Sequence, residues 1–230
     1  MMKTLIIAIA ACASLLAQSQ GVMQSSRADR DAGPDTNPSS EFWKSAPAVF
    51  AANDKFGKPM PELKTEIRSR WTKDNLYFLF ICPFHELWLK PDPSAKTETN
   101  KLWDWDVAEV FIGSDFEHIR QYKEFELSPQ GEWVDLDINL DSRASAGGVK
   151  WNSNFATAAR IDSSAKTWYG VMRIPWSAID TRPPAPGNKL RINLYRQEGP
   201  PPDRKQICWQ PTQKITFHVP DAFGILALQP

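Results

Sequence analysis

The chain reads Leu63-Lys64-Thr65-Glu66-Ile67-Arg68-Ser69-Arg70-Trp71, and this stretch alternates with a period of two. Its odd-numbered residues are apolar or small and its even-numbered residues are charged, so an extended strand would bury one face and expose the other. The next stretch, Leu76 to Cys82, is apolar almost throughout, which predicts a central strand covered on both faces. Lys73-Asp74-Asn75 supplies the turn between these two strands.

Similar strand signals recur along the rest of the chain and are separated by turn residues. Pro129-Gln130-Gly131 predicts a hairpin, and the proline clusters at 183–186 and 200–202 predict stiff loops. Many short strands without long helical periodicity predict an all-β fold, an antiparallel β-sandwich formed by a single domain. The further predicted strands are Val107 to Ile112, Glu124 to Leu127, Val134 to Leu140, Trp168 to Ile174, Leu190 to Tyr195 and Gly224 to Leu228.

The N-terminus has the features of an export signal. Lys3 supplies a positive charge, and the apolar stretch from Leu5 to Ala17 is too short to span a bilayer. We therefore expect a signal peptide at residues 1–17, with cleavage as late as residue 21, and a secreted or periplasmic protein. Ile9-Ala10-Ala11-Cys12 also resembles a lipoprotein box, but the apolar stretch is short for one, so soluble export is expected ahead of a lipid anchor on Cys12.

The segment after the signal differs in composition from the rest of the chain. Residues 22–40 are rich in Ser, Asp, Gly, Asn and Pro, which predicts a disordered leader. Residues 41–230 are long enough for one β-sandwich with a full hydrophobic core, and we assign them to a single domain.

Charge and cysteine content exclude some classes of partner and leave others open. The 27 basic residues are scattered among 27 acidic residues and the formal net charge is 0. The sequence therefore indicates no basic face and predicts no nucleic-acid partner. After signal removal, Cys82 and Cys208 remain, each following an isoleucine in an apolar context. A disulfide and two buried free thiols are both compatible with this pattern. Nothing in the sequence indicates an oligomeric state.

Enzyme signatures are absent from the sequence. There is no nucleophile elbow, zinc-binding helix, phosphate loop or dinucleotide fingerprint, so we predict no catalytic residues and no required cofactor. Asp135-Leu136-Asp137-Ile138-Asn139 begins like a calcium loop but continues with Leu140 where glycine is needed, and its alternation favours an outward strand face. Structural calcium held by scattered oxygens would leave no such pattern and stays open. The carboxylates that could serve a glycoside hydrolase are Asp104, Asp106, Glu109, Glu124 and Glu126.

A second stretch points to a ligand, because it joins aromatic and acidic residues to the start of a strand. It reads Leu102-Trp103-Asp104-Trp105-Asp106-Val107-Ala108-Glu109-Val110-Phe111. A flat aromatic ring can cover the apolar face of a pyranose while carboxylates accept hydrogen bonds from its hydroxyls. Trp103 precedes the strand in a polar stretch, so we expect it to be exposed. The stretch therefore predicts a carbohydrate-binding site.

The order of several sequence blocks resembles family 9 carbohydrate-binding modules, from about Glu41 to the C-terminus. The resemblance implies a jelly-roll-like β-sandwich that binds sugars, in known members often attached to xylan-degrading enzymes and able to bind the reducing end of a glycan. Known members also carry structural calcium. The six blocks are residues 65–78, 103–111, 122–131, 173–176, 192–196 and 217–224.

The resemblance also implies which residues bind the sugar. Two aromatic residues of the family that enclose the sugar fall on Trp103 and Phe217, and a glutamate that hydrogen-bonds it falls on Glu109. Asp106 matches the aspartate just before that glutamate in the motif. The chain departs from the family where Glu126 replaces a sugar-binding arginine and Tyr195 replaces a glutamine.

These observations predict an exported, non-catalytic protein that binds a carbohydrate and serves the breakdown of xylan-type polysaccharides. We expect Trp103 and Phe217 to stack on a sugar, while Glu109, Asp106 and Arg196 supply polar contacts or support the site. Two alternatives remain. One is a glycoside hydrolase acting on O-glycosyl bonds, and the other is a structural or partner-binding exoprotein that has lost sugar binding.

Overall fold

The computed structural model describes residues 20–142 and 149–230, and no α-helix forms in these two ranges. The expected signal peptide and Cys12 lie outside the described residues. No helix within the described ranges is long and apolar enough to cross a membrane. The strands are β1 (Val22–Arg27), β2 (Ala48–Ala51), β3 (Asn53–Asp54), β4 (Thr65–Trp71), β5 (Asn75–Pro83), β6 (Val107–Gly113), β7 (Gln121–Leu127), β8 (Trp133–Asn139), β9 (Val149–Lys150), β10 (Ala156–Asp162), β11 (Thr167–Pro175), β12 (Lys189–Glu198), β13 (Lys205–Cys208) and β14 (Gly224–Gln229).

The strands form one continuous hydrogen-bonded path that folds into two layers. Sheet A has the order β10-β11-β5-β4, with β2 also paired to β4, and sheet B has the order β14-β12-β6-β7-β8-β9, with β13 also paired to β12. β1 joins the two sheets, because it pairs in parallel with β14 and with the end of β4. The other described ladders are antiparallel. The prediction of an all-β sandwich is therefore confirmed.

The core between the sheets is built by strand alternation. In β4, Ile67 and Trp71 point inward and are buried, whereas the charged residues between them are partly exposed. β5 is buried on both faces, as its continuous apolar run predicted. The inner side chains of both sheets form a single apolar cluster, which is the main driving force for folding. Its members include Phe78, Phe80, Trp168, Val110, Phe125 and Leu194.

The prediction of a disordered leader at residues 22–40 is wrong. Val22–Arg27 forms β1, whose register along β14 runs from Val22 opposite Ile225 to Ser26 opposite Gln229. A polar composition predicts disorder because such a segment has few apolar side chains to bury. β1 does not depend on them, since backbone hydrogen bonds to the edges of β4 and β14 order it. Only Met23 needs to enter the apolar core.

The rest of the leader and the turn that follows it cover the outer face of sheet A. Trp43, in that turn, is fully buried and packs in one cluster with Tyr77, Leu79 and Val171. Its indole Nε1 donates a hydrogen bond to the carbonyl of Asp35 at 2.7 Å. The Tyr77 hydroxyl donates to Asp31 Oδ1 at 2.9 Å. The leader therefore covers this face and accepts hydrogen bonds from two of the polar side chains there.

Strand β8 confirms the predicted alternation but reverses the expected faces. Val134, Leu136 and Ile138 are buried on the outer side of sheet B, whereas Asp135 points inward near the edge of the sheet. Asp135 is 1 % exposed, and its Oδ2 accepts a hydrogen bond from the Ser153 backbone N–H at 2.7 Å. The expected outward position of this carboxylate is therefore wrong, and the segment forms a strand, not a calcium loop.

Both cysteines are free and buried. Cys82 belongs to the core between the sheets, whereas Cys208 belongs to the apolar cluster on the outer side of sheet B. Burial raises the pKa of the Cys82 thiol to about 12, which keeps it protonated. Of the two alternatives that the sequence left open, the structure has the buried free thiols.

Candidate functional site

A cleft of about 440 Å³ opens on the outer face of sheet B. A cavity of this size is in the range of small-molecule binding sites. Its walls and floor combine aromatic, aliphatic and polar side chains, which suits a ligand with both apolar and hydroxyl-bearing surfaces. The lining residues are Trp103, Glu109, Phe111, Glu124, Leu136, Ile138, Leu140, Gln197, Gln206, Ile215, Thr216, Phe217 and His218.

Strand alternation explains why these side chains meet in the cleft. On β6, Glu109 and Phe111 face outward while Val110 enters the core between the sheets. On β7, Glu124 faces outward and Phe125 faces inward. Neighbouring strands carry their outward residues side by side, so the floor of the cleft is assembled from alternate positions of β6, β7 and β8.

The aromatic wall formed by Phe217 is supported from behind by Tyr195. The two rings stack with centroids 4.1 Å apart and an interplanar angle of 5°. The Tyr195 hydroxyl donates to the Phe217 carbonyl at 3.0 Å and accepts from Asn193 Nδ2 at 2.7 Å. Phe217 is 7 % exposed, so it offers the cleft only a small part of its ring.

A second aromatic side chain of the cleft is Trp103, which is half-buried in a short turn, Leu102–Asp104, before β6. Arg204 holds this turn in place, since its Nη2 donates to the Trp103 carbonyl at 2.9 Å and its Nη1 to the Asp104 carbonyl at 3.1 Å. A further hydrogen bond reaches the Trp105 carbonyl. Arg204 was missed by the sequence analysis, and no local pattern links it to a turn about a hundred residues earlier.

Three buried carboxylates cluster at the polar floor of the site, where Glu109 and Glu124 line the cleft and Glu126 lies beneath them. Glu109 and Glu126 lie opposite each other in the register of β6 and β7, and Glu124 is on the same side of β7. One carboxylate oxygen from each residue lies within 4.8 Å of the others. Gln197 Nε2 donates to Glu109 at 3.0 Å, whereas both oxygens of Glu126 and one of Glu124 have no hydrogen-bond partner among the described residues other than the carboxyl group of each other. The sequence analysis named all three residues but did not predict that they cluster.

Burial and mutual repulsion make these groups weak acids. Burial raises the pKa of Glu109 to about 7. Burial, followed by the charge of Glu109, raises the pKa of Glu124 to about 8. For Glu126, burial and the neighbouring carboxylates raise the pKa well above its ordinary value. The cluster therefore favours a bound proton, a hydrogen-bond donor or a cation.

Asp106 and Arg196 do not line the cleft, so the structure does not place them in contact with a ligand there. Tyr195 and Gln197 face outward on β12, so Arg196 between them points inward, where its Nη1 donates to the Pro83 carbonyl at 2.5 Å and to Thr65 Oγ1 at 3.3 Å. Asp106 is fully buried and accepts a hydrogen bond from the Gly199 backbone N–H at 2.8 Å. The sequence left open whether these two residues contact the sugar or support the site, and their positions outside the cleft agree with support.

A calcium ion requires several oxygen ligands, and this requirement can be tested on the described residues. Asp137, from the calcium-like segment, pairs with Lys123 at 2.6 Å and faces away from the cleft. Within the ranges that the structure describes, the one converging group of three acidic, cysteine or histidine side chains is Glu109, Glu124 and Glu126. The donor set fits a hard cation, whereas the calcium-like sequence does not.

A second depression, of about 550 Å³, lies beside the first and shares Gln206 with it. Its lining mixes Lys55, Lys58 and Lys205 with Asp54 and contains none of the five predicted site residues. The smaller cleft is the better candidate, because three of the expected ligand-binding residues, Trp103, Phe217 and Glu109, line it.

Comparisons with known proteins give one family match and two curated relatives. The model of the family described as "Carbohydrate family 9 binding domain-like" matches residues 35–230. An "Extracellular protein" of Arthroderma benhamiae is 26 % identical over 163 residues, which cover 66 % of this chain and 68 % of the relative. The human protein "UPF0462 protein C4orf33" is 27 % identical over 132 residues, which cover 54 % of this chain and 59 % of the relative.

Solved structures share the fold. A candidate carbohydrate-binding protein from Bacteroides uniformis has a TM-score of 0.70 at 15 % identity, covering 92 % of this chain and 100 % of that chain. A family 9 carbohydrate-binding module from Caldicellulosiruptor kristjanssonii, solved with cellotriose, has a TM-score of 0.64 at 12 % identity, covering 91 % and 94 % of the two chains. The same module with glucose has a TM-score of 0.64 at 12 % identity, covering 91 % and 96 %.

Proposed function

Since the chain belongs to the carbohydrate family 9 binding domain-like family, we propose that it binds a sugar in the cleft on sheet B. The family consists of non-catalytic carbohydrate-binding modules, so a carbohydrate-binding role and the absence of catalysis follow from membership. The ring of the sugar stacks on Trp103 and contacts the edge of Phe217. Its hydroxyls donate hydrogen bonds to Glu109 on the floor.

One observation carries this proposal. Trp103, Phe217 and Glu109, which are far apart in sequence, line the same open cleft. An aromatic wall beside a carboxylate matches a pyranose, whose C–H face is apolar and whose rim carries hydroxyl donors. Because Trp103 is half-buried and Phe217 is nearly buried, Trp103 supplies most of the stacking surface.

The cellular role proposed for the protein is exported polysaccharide binding. The support for export is the apolar N-terminal segment together with the relative described as extracellular. The support for polysaccharide binding is the fold shared with a module solved with cellotriose. We propose that the protein serves the breakdown of xylan-type polysaccharides by holding a glycan for a separate enzyme.

Hydrolysis by this chain is disfavoured by the position of its carboxylates. A glycoside hydrolase needs one carboxyl group on each side of the bond that is cleaved. Glu109 and Glu124, the two that line the cleft, are on adjacent strands of one floor and would face the same side of a bound ring, and Glu126 is buried beneath them. An assay of the reducing ends released from xylan, cellulose and pectic glycans should detect no hydrolysis by the wild type. Hydrolysis that is lost in Glu109→Gln would contradict this expectation.

Binding by Trp103→Ala tests the proposal directly. A glycan array followed by affinity electrophoresis should show retention of the wild type, and the variant should lose it because its stacking surface is gone. Trp103 sits in a surface turn, so we expect the free energy of unfolding to change by less than about 1 kcal/mol. Phe116→Ala is the matched control, since Phe116 is exposed and does not line the cleft.

Two results would contradict the proposal. A wild-type protein that no glycan retains would be a structural or partner-binding exoprotein. A large loss of stability in Trp103→Ala, measured by urea unfolding, would mean that Trp103 serves the core and not the ligand.

A further inference from the structure

The floor of the cleft presents two carboxylates to the ligand space. Glu109 and Glu124 both line the cleft and lie on adjacent strands. Gln197 donates one hydrogen bond to Glu109, and one oxygen of Glu124 has no partner. Two carboxylates of this kind could be satisfied by water alone, so they do not define an ion site by themselves.

The independent observation is the state of Glu126 beneath them. Glu126 is 0 % exposed, and apart from the neighbouring carboxyl group of Glu124 neither of its oxygens has a hydrogen-bond partner among the described residues. One of these oxygens lies within 4.8 Å of the ligand atoms of both Glu109 and Glu124. A buried carboxylate normally has donors or a cation around it. A positive group beside Glu126 would therefore stabilise its ionised form.

The nearest arginine does not fill that position. Arg204 interacts electrostatically with Glu109 and Glu126. Its N–H groups, however, donate to backbone carbonyls and, at 3.1 Å, to Gln197 Oε1. Arg204 therefore fixes the loops around the cluster without hydrogen-bonding any of the three carboxylates.

We propose that Glu109, Glu124 and Glu126 together bind a hard divalent cation at the floor of the cleft. Carboxylate oxygens without sulfur or imidazole select Ca²⁺, Mg²⁺ or Mn²⁺ over softer metals. Because Ca²⁺ lies about 2.3–2.6 Å from each oxygen, two of its ligands are at most about 5 Å apart, which agrees with the observed 4.8 Å limit.

The cation also helps to bind the sugar, and this second step rests on the proposed function. Three carboxylates occupy three or a few more of the six to eight positions around Ca²⁺, so the others face the cleft. Neighbouring hydroxyls of a sugar on Trp103 can fill those positions. Sugar binding in this cleft is therefore coupled to cation binding.

Cation binding by the full exported chain, without any sugar, tests the first step. Isothermal titration of the EDTA-treated, dialysed protein with Ca²⁺, and electron paramagnetic resonance with Mn²⁺, should show one site. Glu126→Gln should weaken binding at least about tenfold, because one charged ligand is lost. Glu132→Gln is the matched control, since Glu132 is equally buried but lies outside the cluster, and it should bind as the wild type does.

The variants also separate a lost site from a lost fold. Gln is nearly isosteric with Glu, so Glu126→Gln should keep the wild-type circular dichroism spectrum in EDTA. Should it fail to fold, Glu124→Gln provides the same measurement. No heat or spectral change with either cation at millimolar concentration would overturn the inference, and so would a Glu126→Gln protein that binds as tightly as the wild type.

The second step is tested by glycan retention with EDTA and with added Ca²⁺. Retention should fall in EDTA and return with Ca²⁺. A protein that binds the cation but no glycan contradicts the proposed function and leaves the ion site standing. A protein that retains a glycan equally in EDTA, and titrates no cation, contradicts the ion site and leaves the proposed function standing.

Discussion

The two outer faces of the sandwich differ, because one is covered by the chain and the other is open to solvent. The outer face of sheet A is covered by the leader, which accepts hydrogen bonds from Trp43 at Asp35 and from Tyr77 at Asp31. The outer face of sheet B is left open as a cleft, where one oxygen of Glu124 and both oxygens of Glu126 beneath it have no N–H donor among the described residues. One face stabilises the fold, whereas the other gives up stability to keep a binding site available.

The clearest way to break this comparison is to remove the tryptophan of the closed face. Trp43→Ala should lower the free energy of unfolding by about 3–5 kcal/mol, because it leaves a cavity under the leader. Urea unfolding measures this loss. Glycan retention by the folded fraction should be unchanged.

The matched control is Trp103→Ala, which removes the tryptophan of the open face. This variant should lose glycan retention and keep a free energy of unfolding close to that of the wild type. Similar losses of stability in the two variants would mean that both faces serve the core, and the contrast between them would be lost.

A smaller effect, of opposite sign, is expected from the open face. Glu126→Gln should raise the free energy of unfolding by about 1–3 kcal/mol in EDTA, because it replaces a buried, unpartnered carboxyl group with a neutral amide. Thermal unfolding in EDTA checks the direction. A decrease in stability would indicate that the carboxylate is paired in the folded protein, which would remove the difference between the faces.

The smallest effect concerns pH and the support of the open face by Asp106. Burial raises the pKa of Asp106 from 3.8 to about 6. Between these values the folded protein keeps a proton that the unfolded chain releases, so this contribution to stability is full below about pH 4 and is lost as the pH rises through about 6.

Asp106→Asn removes that titration while its amide oxygen can still accept the Gly199 N–H. Urea unfolding at pH 4, 5, 6 and 7 should therefore show a smaller decline for the variant than for the wild type. Parallel curves for the two proteins would contradict the raised pKa.

Parts of this arrangement were predictable because they are local. The alternation of β4 and the continuous apolar run of β5 predicted an exposed-face strand and a central strand, and both are present. The aromatic and acidic stretch before β6 predicted a site, and Trp103 and Glu109 do line the cleft. Phe217 joined them only through the family resemblance, since nothing near it in sequence indicates a ligand.

Other parts were not predictable, since they depend on strands that are distant in sequence. Composition predicted disorder for the leader, but β1 is ordered by the edges of β4 and β14. Motif position placed Arg196 at the site, but the register of β12 turns its side chain to the other face. The convergence of Glu109 with Glu126 follows from the pairing of β6 with β7.

The sequence by itself determined the class of fold, the alternation of each strand and the residue types available for a sugar, because these are properties of neighbouring residues. Only the tertiary structure decided which outer face the leader closes, which stays open, and which three carboxylates share one floor. The physical reason is that a period of two divides a strand into two faces but does not say what will pack against either one. That is settled by pairing register and by loops from elsewhere in the chain.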